Sequence, residues 1–179
     1  RDAILALSGR LDGSMFGPSA PIHLSEFMDG RGRPKNSGPL DGAGRRSIYV
    51  EVRRNFLSPM LRTFDTPVPL TTIGNRTVSN VPAQSLILMN DPFVVEQAQA
   101  WAKRLFTGKK QTAEERVTDL YLAAYSRPPT PSEAAEALSF LKTQGQFYGF
   151  GELDWPRQEQ LWADFCHVLF NVKEFVFLN

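Results

Sequence analysis

The residues best equipped for chemistry in this sequence are its clustered guanidinium groups. Arg31, Arg33, Lys35, Arg45, Arg46, Arg53, Arg54, Arg62 and Arg76 fall close together, interleaved with Tyr49, Phe56 and Phe64. Guanidinium forks pair bidentately with planar anions, so the set suits sulfate, phosphate, a carboxylate-bearing sugar or a nucleic-acid backbone. Arg45, Arg46, Arg53 and Arg54 are the candidate residues for binding an anion or other ligand. Asp29, Asp41, Glu51 and Asp65 lie among the arginines, and internal ion pairing is the simpler use of the same charges.

Other chemistry finds little support. Gly42-Ala43-Gly44-Arg45-Arg46-Ser47 has the glycines of a phosphate loop, but it precedes an extended stretch, lacks a third glycine and has no lysine at the Walker position. The only histidines are His23 and His167. Neighbouring side chains on a helix point about 100° apart, so Cys166 and His167 do not share a tetrahedral metal. His167 is expected to be a half-buried polar residue on a packing helix, and His23 an exposed loop residue. No Gly-x-Ser-x-Gly elbow is present. Glu114 and Glu115 are explained by a capping box, and Asp65 and Asp91 by turn and cap duty. Trp101 and Trp162 fall on or beside apolar helical stripes, which leaves Trp155 the least committed aromatic. Asn75-Arg76-Thr77 fits a glycosylation acceptor of the secretory pathway. No metal site and no cofactor are expected.

Lys and Arg total 20 against 19 acidic residues. A net charge of +1 gives no global field to steer nucleic acid, so nucleic acid is not an expected partner. No apolar run approaches the roughly 20 residues of a membrane helix, and membrane insertion is not expected.

The elements that must position these residues are mostly helices. Arg1 to Leu7 reads as the end of a helix already under way, and the chain is expected to be a fragment of a larger protein. Residues 13–44 form a loop-rich insertion, interrupted by Gly and Pro throughout. Ser47 to Arg53 alternates Ile48, Val50 and Val52 with Tyr49, Glu51 and Arg53, the period of a half-buried strand. Its expected partner is Gly74 to Val81 or the terminal Glu174 to Leu178. A short helix is predicted near Pro59, ending by Pro67, and another over Ala83 to Met89. Asp91 caps a helix that carries Val94, Ala98, Trp101, Ala102 and Leu105 on one face and closes at Gly108. Thr112 and Glu115, then Thr130 and Glu133, have capping-box spacing and open an antiparallel helix pair, with Gly145 beyond the second end. A last helix carries Leu161, Phe165, Val168, Leu169 and Val172. The expected fold is mainly α: a single compact multi-helix domain over residues 1–179, with a short strand or small hairpin and a long Gly/Pro-rich loop.

Several segments, taken in order, resemble one family. They are Arg1 to Ile4 with Ser8 to Asp12, Arg45 to Tyr49, Pro82 to Leu86, Asn90 to Val94, Ser126 to Thr130, and His167 to Asn171 with Glu174-Phe175. They resemble the planctomycete-specific domain of unknown function 1553, with residues 30–44 departing most. The resemblance implies context: the domain lies at the C-terminal end of long exported proteins, downstream of other domains that include a cytochrome-c-like one. It implies a periplasmic or cell-surface location and carries no established catalytic residues. Haem belongs elsewhere in such a parent, since this chain lacks Cys-x-x-Cys-His. The expected function is a non-catalytic interaction or ligand-binding module that works with upstream domains. Part of an extracellular polysaccharide-active hydrolase or redox enzyme, with the arginines holding an anionic glycan, is the alternative. A scaffold packed against a cytochrome-c-like domain is the third reading.

Overall fold

Local sequence signals open several helices of this chain where its computed structural model places them. The structure describes residues 1–70, 72–75, 78–107 and 110–177. Helix α1 spans Asp2–Ser8, α2 Pro59–Thr63, α3 Pro82–Asn90, α4 Pro92–Leu105, α5 Ala113–Tyr125, α6 Pro131–Phe147, α7 Glu159–Phe170 and α8 Lys173–Val176. Asp91 Oδ1 accepts the Phe93 N–H at 2.9 Å, so α4 starts with an N-cap and Pro92 in its first turn. Both capping boxes are closed: Glu115 and Glu133 reach back to the backbone N–H groups of Thr112 and Thr130. The predicted closing residue Gly108 lies outside the described residues.

Helix α7 lies at the centre of the core, packed against α4, α5, α6 and α8. Leu161, Trp162, Phe165, Cys166, Leu169 and Phe170 are all buried, a face wider than one helical stripe because neighbours cover it from several sides. Val168 and Val172, predicted to share that face, are instead exposed. The Trp101 and Phe170 rings stack at 5.3 Å across the α4–α7 contact, and α1 adds Ile4 and Leu5 to the same core. Gly145 sits inside α6 rather than beyond it: a Cβ there would stand 2.9 Å from Trp155 Cβ. Gly149, with φ of 78°, supplies the left-handed turn that follows the helix.

The predicted strand at Ser47 to Arg53 is not formed. Ser47–Tyr49 is a single 3₁₀ turn, and among the described residues the extended backbone makes only isolated bridges, Asp12 with Arg45, Ala20 with Val50 and Arg53 with Phe56. Among the described residues, neither expected partner supplies a ladder. Residues 173–176 are helical, and Arg76, Thr77 and Leu178 lie outside the described residues. An alternating pattern without a neighbouring strand leaves its backbone groups to turns and to side chains.

Residues 13–44 pack onto the body instead of hanging from it. Ala20, Ile22 and Leu24 are buried, and Ile22 and Leu24 join Phe56 in a satellite core. A Cβ on Gly38 would stand 2.1 Å from Pro21 O, and one on Gly44 2.2 Å from Arg10 O. These two positions need glycine because backbone approaches backbone.

Arg127 fastens the last helix to the bundle. It donates to both Glu133 oxygens at 2.7–2.8 Å and to both Glu174 oxygens at 2.7–2.8 Å. These bonds, with the Thr130 N–H, hold the Glu133 carboxyl down at about 2, and Arg127 also lowers that of Glu174. Both carboxyls are more acidic folded than unfolded, where a glutamate titrates near ~4.3. Their contribution is therefore complete above that value and is lost as pH falls through the folded values. The melting temperature is expected to fall more steeply between pH 5 and 3 in the native chain than in R127M, as followed by circular dichroism. Equal slopes would refute this.

Candidate binding groove

Helix α1 is tied to the Gly/Pro-rich loop by its first two residues. Asp2 Oδ1 accepts the Ser47 N–H at 2.8 Å and its hydroxyl at 2.6 Å. The Arg1 side chain, 8% exposed, donates to Asp41 O at 2.6 Å and Arg45 O at 2.9 Å and lies 5.5 Å from the centre of the Phe93 ring. Burial pulls its pKa down, while Asp2 and Asp41 act to raise it. Gly42 leaves room for that guanidinium, since a Cβ there would stand 2.6 Å from Arg1 Nη2.

This clasp roofs two cavities that share Arg1, Ile22, Val50, Ser58 and Leu61 in their walls. The inner one, of about 150 Å³, is lined by Met28, Leu40, Met60 and Phe93 among others, with His23 and Asp91 as polar members. The outer one, of about 770 Å³, opens between Ile48, Val52, Leu57 and Phe64, with Asp2, Glu51 and Arg62 at its polar edges. Ile48 is 78% exposed and Val52 65%, so the alternation read as a strand face instead puts apolar side chains on an open wall. Together the cavities make an apolar groove holding one buried guanidinium.

None of the four predicted site residues lines either cavity. Arg45 is committed internally: Nη2 donates to Phe16 O at 2.7 Å, Nη1 lies 3.9 Å from Asp12 and the guanidinium stacks 4.3 Å from the centre of the Tyr49 ring. Arg53 pairs with Glu51 at 2.9 Å. Arg46 and Arg54 are exposed, and Arg46 and Arg53 adjoin the groove residues Ser47 and Val52 in the chain. Of the wider cluster, Arg62 lines the groove, while Arg76 lies outside the described residues.

The remaining candidates take structural roles. His167 Nε2–H donates to Leu88 O at 2.8 Å, closing the end of α3. His23 is half-buried rather than exposed, with Nδ1–H donating to Gly38 O at 3.1 Å. Asp65 accepts the Ser79 N–H at 2.7 Å. Burial pushes the Cys166 thiol well up, away from the thiolate. No group of three His, Cys, Asp or Glu residues among those described is placed to hold a metal, and no described helix is long and apolar enough to cross a membrane. Of Asn75-Arg76-Thr77, only Asn75 lies among the described residues.

Sequence reasoning missed Arg1, whose acceptors are backbone carbonyls far along the chain. It also missed the groove, whose signal was present in the Ile48, Val50, Val52 alternation but was assigned to a sheet.

Residues 1–141 match a family model described as a protein of unknown function (DUF1553). The match includes the clasp and every residue of the groove. The segments His167 to Asn171 and Glu174-Phe175 lie beyond it. No curated protein and no solved structure matches the chain.

Proposed function

From the premise that the chain belongs to the DUF1553 family, we propose that it is a non-catalytic interaction module that receives, in the groove beneath the Arg1 clasp, an apolar polypeptide segment carrying acidic residues. The observation that carries this is the open apolar wall made by Ile48 and Val52 beside a floor already built of Ile22, Val50 and Leu61. Exposed apolar side chains that rim a concave surface are what partner docking uses. Arg62 in the wall favours an acidic partner, since Glu51 is taken up by Arg53 and Asp2 by Ser47 and Arg1. Such a segment belongs to another domain of a longer, exported protein of the periplasm or cell surface, in keeping with the context the family resemblance implies. A cytochrome-c-like domain is one such partner.

The alternative of a polysaccharide-active hydrolase or redox enzyme needs the arginines gathered around a substrate. Arg45 and Arg53 are spent on Asp12, Phe16 and Glu51, which favours docking over that reading.

The test is affinity for the separately produced upstream domains, measured by calorimetry. I48D and V52D place carboxylates on exposed positions, so the melting temperature is expected to hold within a few degrees while affinity drops at least tenfold. Unchanged affinity in both variants would rule the groove out as the docking site.

A further inference from the structure

The inner of the two groove cavities has the size and lining of a socket for a single ring. Its volume is about 150 Å³, and an apolar cavity of roughly 150 Å³ is large enough to take benzene. Ile22, Met60 and Phe93 in its wall are buried, and Met28 and Leu40 are half-buried. Arg1, His23, Ser58 and Asp91, polar members of the lining, are engaged with the protein's own backbone. Arg1 donates to Asp41 O and Arg45 O and His23 to Gly38 O, while Ser58 accepts the Leu61 N–H and Asp91 the Phe93 N–H. An entering group therefore meets mostly carbon and sulfur.

Three side chains of that lining select a ring over a branched aliphatic chain. Met28 and Met60 bring two thioethers, and thioether sulfur packs favourably against the edge of an aromatic ring. Phe93 adds a ring of its own, and aromatic pairs gain beyond the area they bury. Left empty, the cavity forgoes these contacts along its whole lining. Arg1, Ile22, Val50, Ser58 and Leu61 wall both this cavity and the outer one, so a segment in the outer cavity lies beside the inner.

We propose that the inner cavity is the anchor subsite of the groove and takes the ring of one phenylalanine side chain from the docking segment. This rests on the docking reading of the groove and adds to it the residue type that the partner must present.

Benzene and cyclohexane are the probes, titrated into the unaltered chain while its methionine methyl groups are followed by NMR. Benzene is expected to shift the Met28 and Met60 methyls saturably and to bind at least fivefold tighter than cyclohexane. Met15 and Met89, exposed and outside both cavities, are expected to stay unmoved. With the separately produced upstream domains docked, benzene is expected to lose at least tenfold in affinity. No benzene response at Met28 and Met60, or equal binding of cyclohexane, would overturn the ring subsite. Undiminished benzene binding in the docked complex would overturn the anchor. Each of these results leaves the groove reading standing, because that reading fails on its own measurement, the affinity of the upstream domains for I48D and V52D.

Discussion

Replacing Trp162 by alanine is expected to cost roughly 3–5 kcal/mol of folding stability, the range for emptying a buried aromatic site. Trp162 is fully buried in the first turn of α7, meets Phe165 edge-on at 6.5 Å and donates its indole N–H to Pro156 O at 3.0 Å. The substitution removes the packing and leaves one acceptor of Pro156 to Arg116 alone. For a chain of this size the melting temperature should drop by about 10 °C or more. Urea denaturation measures the free energy directly, and a loss below about 1 kcal/mol would mean that α7 is not the centre of the core.

Gly38→Ala is expected to separate the loop from the helices. The added Cβ meets Pro21 O at 2.1 Å and Ile22 O at 3.1 Å. Those are backbone atoms, which cannot swing aside as a side-chain tip can. The segment must lift, breaking the Gly38 N–H bond to Ile22 O at 2.8 Å and the His23 bond to Gly38 O. It also draws Ile22 out of both the satellite core and the groove wall. Overpacking of this kind costs about 1–3 kcal/mol. The far-UV circular dichroism of the helical body should persist, because α4 and α7 pack directly against each other. Limited proteolysis within residues 13–44 should accelerate at least tenfold, and groove binding should disappear with it. Native-like protease resistance would show that the loop is not held where its glycines place it.

The contrast between these two sites explains what the sequence disclosed. Helix starts were legible because a cap is settled within a few residues: Thr112 and Glu115, Thr130 and Glu133, and Asp91 with Pro92 each carry donor and acceptor in one short stretch. The apolar face of α4 was legible for the same reason, since a helix repeats its geometry every turn. The groove was not legible, because its parts come from distant segments. Ser47 turns into a 3₁₀ helix while Asp2 takes its N–H and hydroxyl. Nothing in Ser47-Ile48-Tyr49 announces a partner that far away. Alternation reports two faces but not what covers either, and here one face was left open instead of joining a sheet.

What the clustered arginines do was not legible for a related reason. Charge density along the chain does not say where guanidinium groups go once acidic residues and carbonyls compete for them. Arg45 went to Tyr49, Phe16 and Asp12, while Arg1, which belongs to no cluster, became the buried cation of the groove.

The central claim is that the groove beneath Arg1 is covered by another part of a longer protein. Amide hydrogen exchange of residues 47–66, compared between this chain alone and the full-length parent, tests it most directly. The account predicts that exchange across this stretch slows at least tenfold in the parent while the stretch 132–136 on α6 keeps its rate. Identical exchange at residues 47–66 in both would contradict it.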